Sequence, residues 1–150
     1  MHLVPIDETG TPVGRPTDLD PTIASVLQVT AEMYGRKGYE PPWIGYLANE
    51  SGAWVGTCGF NGPQRAGEVE IAYFTFPGNE GTGVATRMAA ALLAIAQDVP
   101  LNSPSVLAHT LPEENASTSI LRKLGFSLVG EVDHPEDGNI WQWRLTDSKA

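Results

Sequence analysis

Apolar residues recur at helical spacing through Ile23, Val26, Leu27, Thr30, Met33 and Tyr34, which predicts a helix with one face on a core. Asp20-Pro21 just before them supplies an N-cap and a proline at the first helical position. The helix therefore runs from there to about Tyr34, with Gly35 and Gly38 closing it. The stretch ahead of it, to about Leu19, reads as turns around Thr9-Gly10-Thr11-Pro12 and Arg15-Pro16. After Pro41-Pro42 the spacing changes. Trp43 to Ala48 and Ala53 to Phe60 read as strands joined by a turn at Asn49-Glu50-Ser51-Gly52, an antiparallel hairpin. A turn at Asn61-Gly62-Pro63 leads to a third strand, from about Glu68 to Phe76, broken by Pro77-Gly78-Asn79.

Helical spacing returns from about Gly81 to Gln97, with Val84, Met88, Ala91, Leu92 and Ile95 as the inward stripe. Ser105 to His109 reads as a short buried strand. Asn115 to Leu124 reads as a helix with Ile120, Leu121 and Leu124 inward and Gly125 as its stop. Phe126 to Val132 and Ile140 to Leu145 form a closing hairpin around Asp133-His134-Pro135-Glu136-Asp137-Gly138. Antiparallel strands, then helix, strand, helix and two strands predict an α/β (α+β) chain built on a mixed sheet with helices on its faces. A purely doubly wound sheet does not fit this order.

Composition narrows the function classes. The 150 residues suit one domain spanning 1–150, and no repeat or linker divides them. Nine basic against 18 acidic residues leave a formal charge of −9, which repels phosphate backbones and anionic membranes. Nucleic acid and membrane are therefore not expected partners. The lone Cys58 excludes an internal disulfide and a cysteine-based zinc site, and no metal is expected. The opening residues, Met1 to Glu8, lack a basic segment followed by an apolar run, and no apolar stretch reaches membrane-spanning length. A cytoplasmic location is the expectation.

The chemistry concentrates between Gly67 and Thr86, where a strand runs through a glycine-containing turn into a helix. Bare N–H groups at a helix N-terminus bind phosphate oxygens, and Gly81 and Gly83 let a ligand approach the backbone. On spacing alone the turn reads either as such a cradle or as a plain connection. A Walker loop is excluded because Gly-Lys-Ser/Thr is absent. A dinucleotide fingerprint would require its third glycine where Thr86 stands, and antiparallel strands precede the loop.

Val69-Glu70-Ile71-Ala72-Tyr73 through Gly81-Thr82-Gly83-Val84-Ala85-Thr86 resembles the acyl-CoA signature of the GNAT N-acetyltransferases. The resemblance continues through Ala108-His109-Thr110-Leu111-Pro112-Glu113-Glu114-Asn115-Ala116-Ser117 and Leu121-Arg122-Lys123-Leu124-Gly125-Phe126. It covers about Trp43 to Leu145, and the variant is most similar to the branch containing ribosomal-protein alanine acetyltransferases. It implies a mostly antiparallel sheet with a splayed strand pair. The amides of Gly81, Thr82, Gly83, Val84, Ala85 and Thr86 would hold a CoA pyrophosphate, and the backbone of Phe74, Thr75 and Phe76 would pair with the pantetheine arm. The strand at Val106–His109 would splay from it to admit the thioester. The family signature Gln/Arg-x-x-Gly-x-Gly/Ala falls on Glu80-Gly81-Thr82-Gly83-Val84-Ala85, with an acid in its first place. The family's asparagine before the helix serine falls on Glu114, with Asn115 one place later and counted among the cofactor-binding residues. The usual thiolate-protonating tyrosine falls on Leu121, which leaves Ser117 as the substitute.

Transfer to an amine needs its lone pair, and an alkyl ammonium with a pKa of about 10.4 needs a base at neutral pH. Glu70 and Glu68 alternate onto one strand face and are candidates; a solvated surface is their other reading. His109, at the end of the buried strand, is a third candidate or a packed histidine. Ser117 is either the acid or a helix-start hydroxyl. Cys58 reads as core, Trp141 and Trp143 as core or interface. Glu131, Asp133, Glu136 and Asp137 read as a solvated loop or as an attraction for a cation. The expected activity is transfer of an acetyl group from acetyl-CoA to a small-molecule or peptide amine in a ternary complex, with a homodimer allowed. The competing readings are a non-catalytic CoA-binding module and a nucleotide-binding oxidoreductase.

Overall fold

The computed structural model describes residues 1–14, 20–99, 103–135 and 137–146. The turn read at Arg15-Pro16 and the acid Glu136 lie outside them. In chain order the elements are β1 (His2–Pro5), α1 (Pro21–Lys37), β2 (Gly45–Glu50), β3 (Ala53–Phe60), β4 (Glu68–Thr75), α2 (Val84–Gln97), β5 (Ser105–Thr110), α3 (Ala116–Lys123), β6 (Phe126–His134) and β7 (Gly138–Leu145). The strands form one seven-stranded sheet in the order β1-β2-β3-β4-β5-β7-β6. Every neighbouring pair is antiparallel except β4 with β5.

The sequence reading needs several corrections, one of them in the closing hairpin, where β6 runs on to His134 and β7 starts at Gly138. β1 stands where only turns were expected; it is four residues long and pairs at the sheet edge with β2, where its terminal Pro5 removes no interior hydrogen bond. α1 continues through Gly35 to Lys37, and Gly38, at φ 106°, ends it by donating its N–H to the Tyr34 carbonyl at 2.9 Å. β2 begins at Gly45, not Trp43, and includes Asn49 and Glu50. The turn shrinks to Ser51-Gly52, both at positive φ, as a two-residue hairpin connection requires. α2 begins at Val84, three residues later than expected, because Gly83 lies in the left-handed region at φ 83°.

Two contacts show how helices take opposite faces. A Cβ on Gly45 would sit 2.9 Å from Thr30 of α1, whereas a Cβ on Gly56 would meet Met88 of α2 at 2.9 Å and the Phe74 carbonyl at 2.7 Å. β2 and β3 pair Gly45 with Gly59, an odd number of residues from Gly56, so α1 and α2 cover opposite sides. The N-cap predicted for α1 is present: the Ile23 N–H donates to Asp20 Oδ1 at 2.9 Å. Tyr34 then ties α1 to the sheet, donating its hydroxyl to the Ile6 carbonyl and accepting from the Gly45 N–H. On the α2 face, Met88, Leu92, Ile71, Phe60 and Trp143 are fully buried, as is Leu121 of α3, and Cys58 is core as expected. The expected α2 stripe shifts: Ala89, Leu93 and Ala96 are buried, while Ala91 and Ile95 are half-buried.

Candidate active site

The alternation along β4 places Glu68, Glu70, Ala72 and Phe74 on one face and Val69, Ile71 and Tyr73 on the other. β4 pairs with β5 only as far as Ile71 opposite Ala108. Beyond that point β4 stays with β3 as far as Thr75, and β5 stays with β7 as far as Thr110. The two strands part, and the edge of residues 72–75 is left without a strand partner.

The wedge between them holds a cavity of ≈ 270 Å³, lined by Glu70, Tyr73, His109, Asn115 and Ser117 among others. It shares Tyr73 and Ser117 with an adjacent cleft of ≈ 470 Å³ that passes Phe74, Thr75, Gly81, Gly83 and the first turn of α2. Through Ala72 and Tyr73 it also meets an apolar pocket of ≈ 210 Å³ under Thr30 and Met33 of α1. Tyr73 thus lines all three cavities beside the splay.

At the far end of the cleft the N-terminus of α2 is bare. Gly83 supplies no side-chain cap, and the N–H groups of residues 81–86 make no hydrogen bond among the described residues. Unpaired N–H groups aligned with a helix dipole attract an anion. Glu80 does not intrude: its Oε1 accepts from the Gly78 N–H at 2.7 Å, which holds the carboxylate on its own turn. Arg87 adds a cation one turn into α2, donating to the Thr82 carbonyl and to both carboxylate oxygens of Glu50.

Not every residue expected at a cofactor reaches this cleft. Phe74, Thr75, Gly81, Gly83, Val84, Ala85 and Thr86 line it. Phe76 is buried, with its N–H given to the Val55 carbonyl and its own carbonyl taken by the Asn79 N–H, so its backbone is spent inside the fold. The Thr82 hydroxyl is turned to the Asn79 carbonyl. Asn115 caps α3 in a reciprocal pair with Thr118 and lines the wedge, not the cleft. Ser117 follows it, half-buried, lining both cavities, its hydroxyl without a partner among the described residues.

In the wedge the parallel register sets Glu70 beside Leu107, which puts His109 on the same face. Glu70 Oε2 lies 2.9 Å from His109 Nδ1, and Oε1 accepts from Asn61 Nδ2 at 3.3 Å. The Nδ1 contact is an ion-pair distance without hydrogen-bond alignment, and that buried nitrogen has no hydrogen-bond partner. Burial pushes the Glu70 carboxyl up, but the His109 ring and the Asn61 amide outweigh it and hold the group below the usual carboxylate range. Glu68 is set apart, paired with Arg144 at 2.9 Å. Burial raises the Tyr73 phenol to about 12, so it stays protonated at neutral pH.

Four neighbours of the site lay beyond sequence reasoning. Asn61, Tyr73 and Arg87 gave no signal of their own in the pattern. His134 was read as part of a hairpin loop, but β6 runs through it and its ring packs edge-on to His109, with centroids 5.3 Å apart.

Residues 7–127 match the sequence profile of the acetyltransferase (GNAT) domain. The chain belongs to the GNAT acetyltransferase family. Among curated proteins none matches this GNAT chain in sequence. Solved structures share its fold. An acetyltransferase from Agrobacterium tumefaciens is 24% identical, with a TM-score of 0.61 over 90% of this chain and 76% of its own. A ribosomal-protein-alanine N-acetyltransferase from Brucella melitensis is 20% identical, with a TM-score of 0.60 over 85% and 79%. The ribosomal L7/L12 α-N-protein acetyltransferase RimL, solved in complex with coenzyme A, is 17% identical, with a TM-score of 0.62 over 82% and 70%. The family and the mixed, mostly antiparallel sheet expected from the sequence are thus both found.

Proposed function

We propose that this GNAT chain is an acetyl-CoA-dependent N-acetyltransferase acting on a primary amine, folded as one domain and working in the cytoplasm. The observation that carries the reading is the splay flanked by two adjacent cavities that share Tyr73 and Ser117, one reaching the bare end of α2 and the other the ionised Glu70. The donor's phosphates suit the bare amides of residues 81–86. Its extended arm suits the open edge of Phe74 and Thr75, which adds a strand without displacing one. Acetyl-CoA supplies a thioester carbonyl carbon that an amine can attack directly, with no acyl-enzyme.

An acceptor ammonium approaching the wedge is attracted by Glu70. The Glu70–His109 couple takes a proton from it, and the freed lone pair forms the new C–N bond. As the C–S bond breaks, the sulfur leaves with its electron pair and accepts a proton from the Ser117 hydroxyl, and the second proton shed by the new amide nitrogen restores that hydroxyl. The couple keeps one carboxylate and one imidazole 2.9 Å apart, close enough to act on the same amine. Glu68 has no part in this, because Arg144 already neutralises it.

Thiol release from acetyl-CoA, measured against a panel of peptide N-termini, amino acids and polyamines, tests the reading, with mass spectrometry to identify the product. Thiol release matched by an acetylated amine is the expected outcome. A folded protein that binds CoA but turns over no amine would make it a CoA-binding module instead.

A further inference from the structure

The wedge contains one cluster that acetyl transfer does not use in full. Glu70 on β4, His109 on β5 and His134 on β6 each offer a ligand atom, and these atoms lie within 4.8 Å of one another. We propose that the three residues form a Zn²⁺ site that blocks the acetyltransferase when occupied.

Two imidazoles and one carboxylate are a donor set that zinc accepts and that magnesium and calcium do not favour. In a tetrahedral site with bonds of about 2.0–2.1 Å, neighbouring ligand atoms sit about 3.4 Å apart. The 2.9 Å between Glu70 Oε2 and His109 Nδ1 then opens slightly, and the widest separation closes by little more than an ångström. Side-chain rotation accomplishes both. A second observation points to the same place: His109 Nδ1 is buried and lacks a hydrogen-bond partner, at a cost that a metal bond removes. Behind His134 stands Asp137, its carboxylate 3.5 Å from Nδ1, in the position of the outer carboxylates that orient metal-bound histidines. All three ligands are half-buried, and two of them, Glu70 and His109, line the wedge, from which a fourth ligand such as water would enter.

The sequence reading excluded a cysteine-based site and expected no metal. His134 lies 25 residues after His109, and the β7–β6 arrangement alone brings them together. The inhibitory consequence rests on the proposed acetyltransfer: a metal on Glu70 and His109 occupies the lone pairs that would take the amine's proton. Zinc then competes with the amine and not with acetyl-CoA.

The test uses the full chain, stripped of metal by chelation. Calorimetry with ZnCl₂ alone should give one strong site, and MgCl₂ should give none. His134→Gln, which removes a ligand outside the proposed base couple, should weaken zinc at least tenfold. Co²⁺ in place of zinc should give the intense visible absorption of a four-coordinate site in the wild type only. In the acetylation assay, zinc should slow the wild type and leave His134→Gln active at the same concentration. Absent zinc binding, or equal affinity in wild type and His134→Gln, would overturn the site. Binding that depends on His134 but leaves acetylation unchanged would overturn the block. The calorimetry needs no turnover, so it decides the site even for a chain that acetylates nothing.

Discussion

Glu70→Gln tests the proposed base. The amide keeps the size of the side chain and an oxygen for the Asn61 bond, but it neither attracts a cation nor accepts its proton. Loss of a positioned base costs about 10²–10⁴-fold in rate, or roughly 3–5 kcal/mol at 1.36 kcal/mol per tenfold. Stability should move by no more than about 1 kcal/mol, since no cavity opens and one hydrogen bond is retained. His109→Gln should lower the rate by a similar factor if the two groups act as one base, since they touch at 2.9 Å. The informative variant is the double one. If the couple acts as a unit, Glu70→Gln/His109→Gln is no slower than the worse single variant. Single-turnover thiol release at saturating acetyl-CoA measures all three, with CoA affinity checked by calorimetry. At pH near the amine's own pKa, about 10.4 for an alkyl amine, each variant should recover part of its rate, as the acceptor loses its proton to solvent. Losses that multiply in the double variant would show two separate roles. A Glu70→Gln rate within threefold of wild type would refute the carboxylate's part altogether.

Other perturbations separate the remaining assignments. Ser117→Ala should lower turnover about 10²-fold while CoA affinity holds, measured by the same two assays; an unchanged rate would return Ser117 to a helix-start hydroxyl. Glu68→Gln should leave the rate within about twofold, because its partner is Arg144. Gly83→Ala should weaken CoA and also lower the melting temperature, since its φ of 83° costs an L-residue about 1–2 kcal/mol and its Cβ would press on Arg87 at 2.8 Å. Trp143→Ala should cost about 3–5 kcal/mol in chemical denaturation, because Trp143 is fully buried and its Nε1 donates to Thr110 at 3.0 Å.

How much the sequence disclosed differs from element to element. Long amphipathic segments with caps, such as α1 behind Asp20-Pro21, announced themselves, and so did the strand alternation that put Glu70 beside Glu68. β1 did not: four residues ending in proline carry too little alternation to tell a strand from a turn, and only pairing with β2 makes it one. The extent of α1 failed for a related reason. Gly35 costs a helix about 1 kcal/mol, which the packing of Tyr34 against Ile6 and Gly45 overcomes. At the site, Glu70 and His109 were legible one by one because each sits on a strand with clear parity. Their contact was not, because it depends on the register of a parallel pair whose strands lie more than thirty residues apart. His134 is harder still. Its approach to His109 needs the strand order β5-β7-β6, a property of the whole sheet.

The charge of this chain sets two demands against each other. At −9 it repels an anionic donor and attracts a cationic acceptor, yet the proposed reaction needs both within a few ångströms. The fold resolves this by position. Where the donor's phosphates would lie, the positive end of the α2 dipole is uncapped, Arg87 stands one turn behind it, and the nearest acids are turned aside: Glu80 onto the Gly78 amide and Glu50 onto Arg87. Both neutralisations use short contacts at the loop itself, so they act within the Debye length of about 8–10 Å at which the rest of the acidic surface is screened. On the acceptor side Arg144 offsets Glu68, and the acids that remain face the wedge and the sheet edge. Glu70 is held ionised in the wedge, and Glu131 and Asp133 stand exposed on the neighbouring edge strand β6. Raising salt should therefore weaken a cationic acceptor more than it weakens CoA, because the acceptor is gathered by a long-range field and the donor by N–H groups in contact. KM values for both substrates between 50 mM and 500 mM NaCl measure the difference; equal rises would mean that the surface field, and not the bare end of α2, governs the donor.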